Sequence, residues 1–562
     1  MKSKISILVI LVSMGILGIS CTKVLDFAPS DRYDESVGYK DLSTVDKVTE
    51  GLYGVLYTPN VAEIRGTDLS DQFTDLIKNT SYLQPAGSSN PYFFSPNRMN
   101  PTTMPLNCWD DMYTRLPRIN EFIVDINAGK LSHIDAEELR KREGEARFLR
   151  AFAFQELAIR YGRYVLRAGE DHVDDHNDRN KALLSQEEGW EYILSEFAKS
   201  AELLPEKWSG REGRVTKGAA WGMIARSALN AGKYDRTIEA CNKVESMGYK
   251  LLDNYAEIFD RPNNEEIILA VNFDAPKLQH QFTSIYCPPG DYSKAAGTVG
   301  GYATPTEEFA SAYEIKVDGK WQPFSWDLVH SGKVKDPYAG RDPRFYQTIF
   351  HNNEEWHYYD GDSWKPRRLQ LYEGGTDGLA RYQDSPGHHI STTGYIIRKY
   401  IREKGDFNFA SVQSDQFWIE MRLAEIYLIH SEALARKGDM KGAYSYLNKL
   451  RTTRSTVQLT PIPTKGNWDE YLKDLSLERI RELGMEGHRF FDLRRWGKSS
   501  EVLNGKRMHG VEITPMGDGT FAYKVIDVNG QDRVWPERYN VHPIPKLEVD
   551  NNTLAEQHAQ WK

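Results

Sequence analysis

The densest cluster of chemistry-capable side chains is EGHRFFDLRRW, Glu486 to Trp496, where Arg489, Arg494 and Arg495 surround Asp492. Three guanidiniums invite an anion-binding reading. Buried arginine, however, needs a paired acceptor, so the run is read as an internal Arg–Asp network bracing the last helices. The loop DHVDDHNDR at 171–179 offers carboxylates and imidazoles, but no ligand set at a fixed spacing, and reads as a solvated loop. DVNGQD at 527–532 is a fragment of a calcium loop without its downstream Glu, so no metal is assigned and calcium has no support. Gly374–Gly375 reads as a turn, since no phosphate-cradling glycine pattern follows a strand there. Cys108, Cys241 and Cys287 are too scattered for a disulfide framework or a zinc site, and read as small buried hydrophobes.

A different chemistry is offered by the aromatics. The chain has 31 Tyr, 22 Phe and 13 Trp, too many for a disordered protein, and a net charge of −9 with no basic run for nucleic acid. Aromatic rings outside helical stripes can stack on the apolar face of a sugar while Asn, Asp and Arg bond its hydroxyls. The candidates are Tyr82, Tyr92 and Phe93 in one irregular stretch, and Tyr286, Tyr292, Trp321 and Trp326 in another. Asn97, Arg98 and Asp291 are their polar neighbours.

The N-terminus supplies a further site. Lys2 and Lys4 precede an apolar run, Ile5 to Ile19, that is short for a bilayer span and ends in small residues and Cys21. Residues 1–20 read as an export signal, and Gly18-Ile19-Ser20-Cys21 resembles a bacterial lipobox with Gly18 where Leu is usual. Cys21 is then the lipidated first residue of the mature protein, and 21–40 is a polar tether.

Helices must position these sites. Ser43–Thr44 is read as the cap of a first helix carrying Val45, Val48, Leu52, Val55 and Leu56 on one face. Helical stripes follow at 109–127, 137–161 and 187–204, with Trp109 on a core face. Two stretches, 216–247 and 422–453, each break an Ala-rich helix at a glycine, Gly232 and Gly438, and fold back with the same offset; both resemble the tetratricopeptide pattern. Four helical hairpins result: about 43–57 with 109–127, 137–161 with 187–204, 216–247, and 422–453. Two insertions, 58–108 and 250–416, sit on them. The second holds strand-like runs such as Glu266–Phe273 and reads as an irregular lobe, since so long a structureless loop would be abnormal. Residues 41–562 are taken as a single domain.

Taken in order, Cys21, EARFLRAFAFQELAIRYG, GRVTKGAAWGMIARSAL, DPYAGRDPRFYQTIF, TGYIIRKY, FWIEMRLAEIYLIHSEALARKGD, ERIRELGMEGHRFFDLRRWG and HPIPKLEVD resemble the SusD/RagB family of surface nutrient-binding lipoproteins. The resemblance implies a mainly α, monomeric fold. Four tetratricopeptide-like hairpins would form a right-handed superhelical scaffold bearing a coil- and strand-containing insertion lobe. It also implies a non-catalytic protein, lipid-anchored on the exterior of the outer membrane, that delivers oligosaccharides to a SusC-like TonB-dependent transporter. Two other functions stay open. A tetratricopeptide groove can hold peptides, as in the family's peptide-import branch. A secreted glycoside hydrolase needs only a carboxylate pair, which 80 acidic residues neither show nor exclude.

Overall fold

The computed structural model describes residues 39–562 except 67, 80–97, 170–178, 290–299, 360–362, 379–390, 404–413, 529 and 531. Cys21, Tyr82, Tyr92, Phe93, Asn97, Asp291 and Tyr292 therefore lie outside the described residues, as does most of the 171–179 loop.

The chain is mainly helical. Helix α1 (Leu42–Leu52) begins at Asp41, not at Ser43–Thr44. Asp41 Oδ1 accepts the Thr44 backbone N–H at 2.9 Å while Thr44 Oγ1 accepts that of Asp41 at 3.0 Å. This reciprocal box satisfies two orphan donors, which a cap two residues later would not. Helix α2 (Trp109–Asn127) packs Trp109 edge-on to Tyr161 at 5.0 Å, in the core as read. Helix α3 (Ala136–Tyr161) is buried around most of its circumference, charged residues included. That burial is affordable because its ions are paired: Arg142 reaches Asp46 of α1 at 2.7 Å, and Arg147 reaches Glu196 of α4 (Gln186–Leu203). Helix α1 thus lies along α3 more extensively than along α2, the partner expected for it.

Helices α5 (Lys217–Asn230) and α6 (Tyr234–Glu245) repeat the geometry of α7 (Leu423–Arg436) and α8 (Met440–Thr452). In the first pair Gly232 N bonds Leu229 O at 3.1 Å and Lys233 N bonds Ala228 O at 2.8 Å. In the second, Gly438 N bonds Ala435 O at 3.0 Å and Asp439 N bonds Leu434 O at 2.9 Å. Both glycines have positive φ, +71° and +89°, where a side chain would be strained.

The repeats resume across the second insertion as if it were not there. His430 of α7 meets Glu245 of α6 at 2.7 Å, and Lys437 meets Asp235 at 3.0 Å. What permits this is an antiparallel ladder joining the insertion's two ends, Ile267–Val271 with Trp418–Arg422. The first of these strands is the one read at 266–273.

A buried ion network holds the lobe on the scaffold. Helix α9 (Trp468–Leu483) places Glu478 and Glu482 one turn apart on a face with no solvent. Arg344 of the insertion binds both, at 2.7 and 2.8 Å. Arg422 binds Glu482, Glu486 and the insertion's Glu266, each at 2.7–2.8 Å. Arg454 adds Glu266 at 2.6 Å, and Arg451 adds Glu314 at 2.8 Å. Burial alone would raise the Glu478 carboxyl, but Arg344, Arg451 and Arg481 overcome it and hold it down to about 2.

The Arg–Asp cluster of α10 (Arg489–Arg495) is internal, with a different wiring from the one expected. Asp492 takes Arg479 at 2.5 Å and Arg495 at 2.9 Å. Arg489 instead makes a bidentate pair with Asp75 of the first insertion, both contacts at 2.9 Å. Arg494 has no carboxylate among its described contacts and stacks 4.0 Å from the centre of Phe490. Cys108, Cys241 and Cys287 are free and buried.

Candidate ligand-binding site

The two insertions are physically joined. Strand β1 (Ile77–Asn79) of the first pairs antiparallel with β2 (Ala303–Pro305) of the second, in the register Ile77↔Pro305, Lys78↔Thr304 and Asn79↔Ala303. The ladder continues where Thr306 N bonds Leu76 O at 2.9 Å. A third segment joins from the side, where Lys78 Nζ donates to Thr392 Oγ1 at 3.1 Å. The turn holding Thr392 is tied by Ser391, whose hydroxyl accepts from Gly394 N at 3.0 Å and donates to Tyr395 O at 2.8 Å. Gly394 has φ +79°, and a Cβ there would lie 2.5 Å from Val511 O, so only glycine fits. Asn79, Ala303 and Ser391 at this junction stand next to, or within a few residues of, segments 80–97, 290–299 and 379–390 in the sequence. These segments carry Tyr82, Tyr92, Phe93, Asn97, Asp291 and Tyr292 of the expected set.

Lys78 is 3% exposed, and its charged neighbour is Arg533. Burial, with that like charge, pulls its ammonium down to about 7.

Of the expected aromatics that are described, Trp326 is the one wired to this junction. It opens the short helix Trp326–His330, half-buried, and its indole N–H donates to Glu307 Oε1 at 2.7 Å. Glu307 opens the helix Glu307–Ala312 directly after β2, and its Oε2 accepts the Tyr395 hydroxyl at 2.6 Å. Burial raises the Glu307 carboxyl, and the donors Ser311, Tyr395 and Trp326 restrain the rise. Trp326 is held in turn by Phe324 at 5.5 Å and Tyr523 at 6.2 Å. Trp321 sits half-buried on the neighbouring hairpin, Ile315–Val317 with Lys320–Gln322, under Lys316 Nζ at 5.6 Å from its ring centre.

Tyr286 corrects the expectation. It is fully buried between Phe282 and Tyr302, at 4.6 and 6.2 Å, so its faces are spent on packing and offer no platform. Tyr523 was not foreseen. It lies on the hairpin His509–Pro515 with Phe521–Asp527, half-buried beside Trp326, with Phe521 two residues earlier against Tyr372 at 6.0 Å. The alternation FAYKVID after the turn residues MGDGT is the strand signal that marks it.

A separate chamber of about 80 Å³ lies among α3, α5, α7 and α10. Its charged walls pair with one another, Arg226 with Glu425 at 2.7 Å and Arg479 with Asp492 at 2.5 Å, so it reads as interior scaffold. Among the described residues no group of three or more His, Cys, Asp or Glu could hold a metal ion. None of the described helices is long and apolar enough to cross a membrane.

Residues 265–561 match the SusD family, and residues 25–229 match a second family described as starch-binding and associating with the outer membrane. The chain is 26% identical over 456 residues to the starch-binding protein SusD of Bacteroides thetaiotaomicron, covering 76% of this chain and 74% of that one. It is 22% identical to a SusD-like protein of Formosa agariphila, covering 86% and 88% of the two chains. The crystal structure of a SusD-like protein from Bacteroides fragilis superposes with a TM-score of 0.76 at 25% identity, covering 94% of this chain and 98% of that one. The match spans both the scaffold repeats and the lobe that carries Trp326 and the β1–β2 junction. This chain belongs to the SusD family.

Proposed function

We propose that this protein binds oligosaccharides or polysaccharides at the junction of its two insertions. It would be anchored by a lipid on Cys21 to the exterior of the outer membrane and pass its ligand to a SusC-like TonB-dependent transporter. The observation that carries the glycan reading is the half-buried pair Trp326 and Tyr523, fixed through Glu307 to the strand ladder where the insertions meet. Half-buried aromatic rings held in place suit a sugar's C–H surface, and such contacts need no charge on the ligand. The relative named for starch binding supports the same ligand class. In this reading Tyr82, Tyr92, Phe93, Asn97, Asp291, Tyr292 and Trp321 add contacts around that pair. Acyl chains at about 0.8 kcal/mol per buried methylene would keep the domain at the membrane surface.

The test is a glycan-array and affinity-gel screen of the soluble domain starting after Cys21, with a reducing-sugar assay on every hit. Binding without release of reducing ends is expected. Retention of peptides but of no glycan would refute the reading.

A further inference from the structure

A buried charge on α10 lacks a counter-ion among the described residues. Arg494 donates one N–H from Nη2 to the Tyr539 carbonyl, and its guanidinium carbon lies 4.0 Å from the centre of the Phe490 ring. Its Nε and Nη1 are closed to solvent and have no hydrogen-bond partner among the described residues. The charged group acting on it is of like sign: Arg160, which already spends its own donors on Glu156 and on the carbonyls of Leu106 and Asn60. Beside this pair lies His542, 0% exposed, its ring 5.4 Å from Tyr161 and 6.4 Å from Phe490. Neither ring nitrogen of His542 has a hydrogen-bond partner among the described residues. Its backbone N–H donates to Arg160 O at 2.8 Å, which ties this stretch to the end of α3.

Guanidinium stays protonated in proteins and carries five N–H donors; here the one on Nε and the two on Nη1 are stranded along with an imidazole. An unpaired buried charge is among the costliest arrangements a fold can keep. A bridging water would satisfy the donors and leave the charge uncompensated, whereas an anion satisfies both. We propose that Arg494 and His542 form a buried site for a monatomic anion of halide size. The ion accepts from Nε and Nη1 of Arg494 and from one N–H of His542, and the rings of Phe490 and Tyr161 set the size limit. It ties the chain around His542 to α10 and so fastens the C-terminal segment to the last helices. This site lies on the scaffold and does not depend on the glycan reading.

The experiment is thermal unfolding of the mature protein in sodium chloride and in sodium gluconate at matched ionic strength. Crystals soaked in bromide provide the second readout. Chloride is expected to raise the midpoint by about 1–3 °C in a saturable way that sulfate does not reproduce, as binding to the folded state requires. Bromide should give an anomalous peak between Arg494 and His542. In Arg494→Met the chloride dependence should vanish. If that variant does not fold, His542→Phe, which removes a donor and keeps the charge, should weaken the saturable rise. Equal midpoints in the two sodium salts, or wild-type crystals without a bromide peak at this position, would overturn the proposal.

Discussion

Trp326 and Glu307 are joined by a hydrogen bond of 2.7 Å between the indole N–H and a buried carboxylate oxygen, and the same carboxylate accepts from Tyr395 at 2.6 Å. One acid thereby aims an aromatic ring and ties it to the turn beside Thr392. Glu307→Ala leaves these two donors and the Ser311 hydroxyl without their acceptor, at a cost of about 1–3 kcal/mol in stability. It should also weaken ligand binding less than removal of the ring itself does. Chemical denaturation of the variant, beside its glycan affinity, separates the two effects.

Removing a central carboxylate of the ion network should be worse. Glu482 serves Arg344, Arg422 and Arg454 at 2.7–3.0 Å with no solvent access. Glu482→Ala takes one carboxylate from each of three buried guanidiniums, which keep Asp342, Glu478, Glu266 and Glu486 between them, and a loss of about 3–5 kcal/mol is expected from the breaking of a buried pair. A urea midpoint unchanged within error would show that the lobe is held by apolar packing instead.

The same network sets the acid limit. Glu478 titrates near 2 in the fold against 4.5 as an unperturbed group, its carboxylate form being favoured by three arginines over the cost of burial. A carboxyl depressed in the folded state stabilises above its unfolded value, and that contribution is lost as pH falls through the folded one. Stability should therefore decline between about pH 4.5 and pH 2, as followed by circular dichroism. An Asp342→Asn variant, which removes one partner of Arg344, should lose stability at pH 7 as well.

The helices were legible in the sequence because apolar stripes and the glycines at 232 and 438 specify them locally. The neighbours were not. Helix α6 touches α7 only because Ile267–Val271 pairs with Trp418–Arg422, and nothing local in either strand names the other. Arg489 illustrates the same limit: Asp492 is three residues away, yet its partner is Asp75, in the other insertion. The three-residue strand Ile77–Asn79 is too short to carry a period, so the junction of the insertions could not be read.

Lys78 gives a prediction of opposite sign. Its ammonium falls to about 7 in the fold from 10.5, so the unfolded chain binds the extra proton between those values. Stability then rises with pH from about 7 toward 10.5 and is flat below 7, a term on the order of a few kcal/mol. Lys78→Met removes the buried charge. It should raise the midpoint at pH 7 and flatten this slope relative to wild type, in paired melts from pH 6 to 10. A lower midpoint at pH 7 would show that the bond to Thr392 outweighs the cost of burial.

The most direct test of the central reading is calorimetric titration of the glycan found by the screen into wild type, Trp326→Ala and Tyr523→Ala. The rings are expected to contribute about 1 kcal/mol or more each, so affinity should fall about fivefold or more in either variant while the fold is kept. Unchanged affinity in both would contradict the account and move the ligand site away from the junction of the insertions.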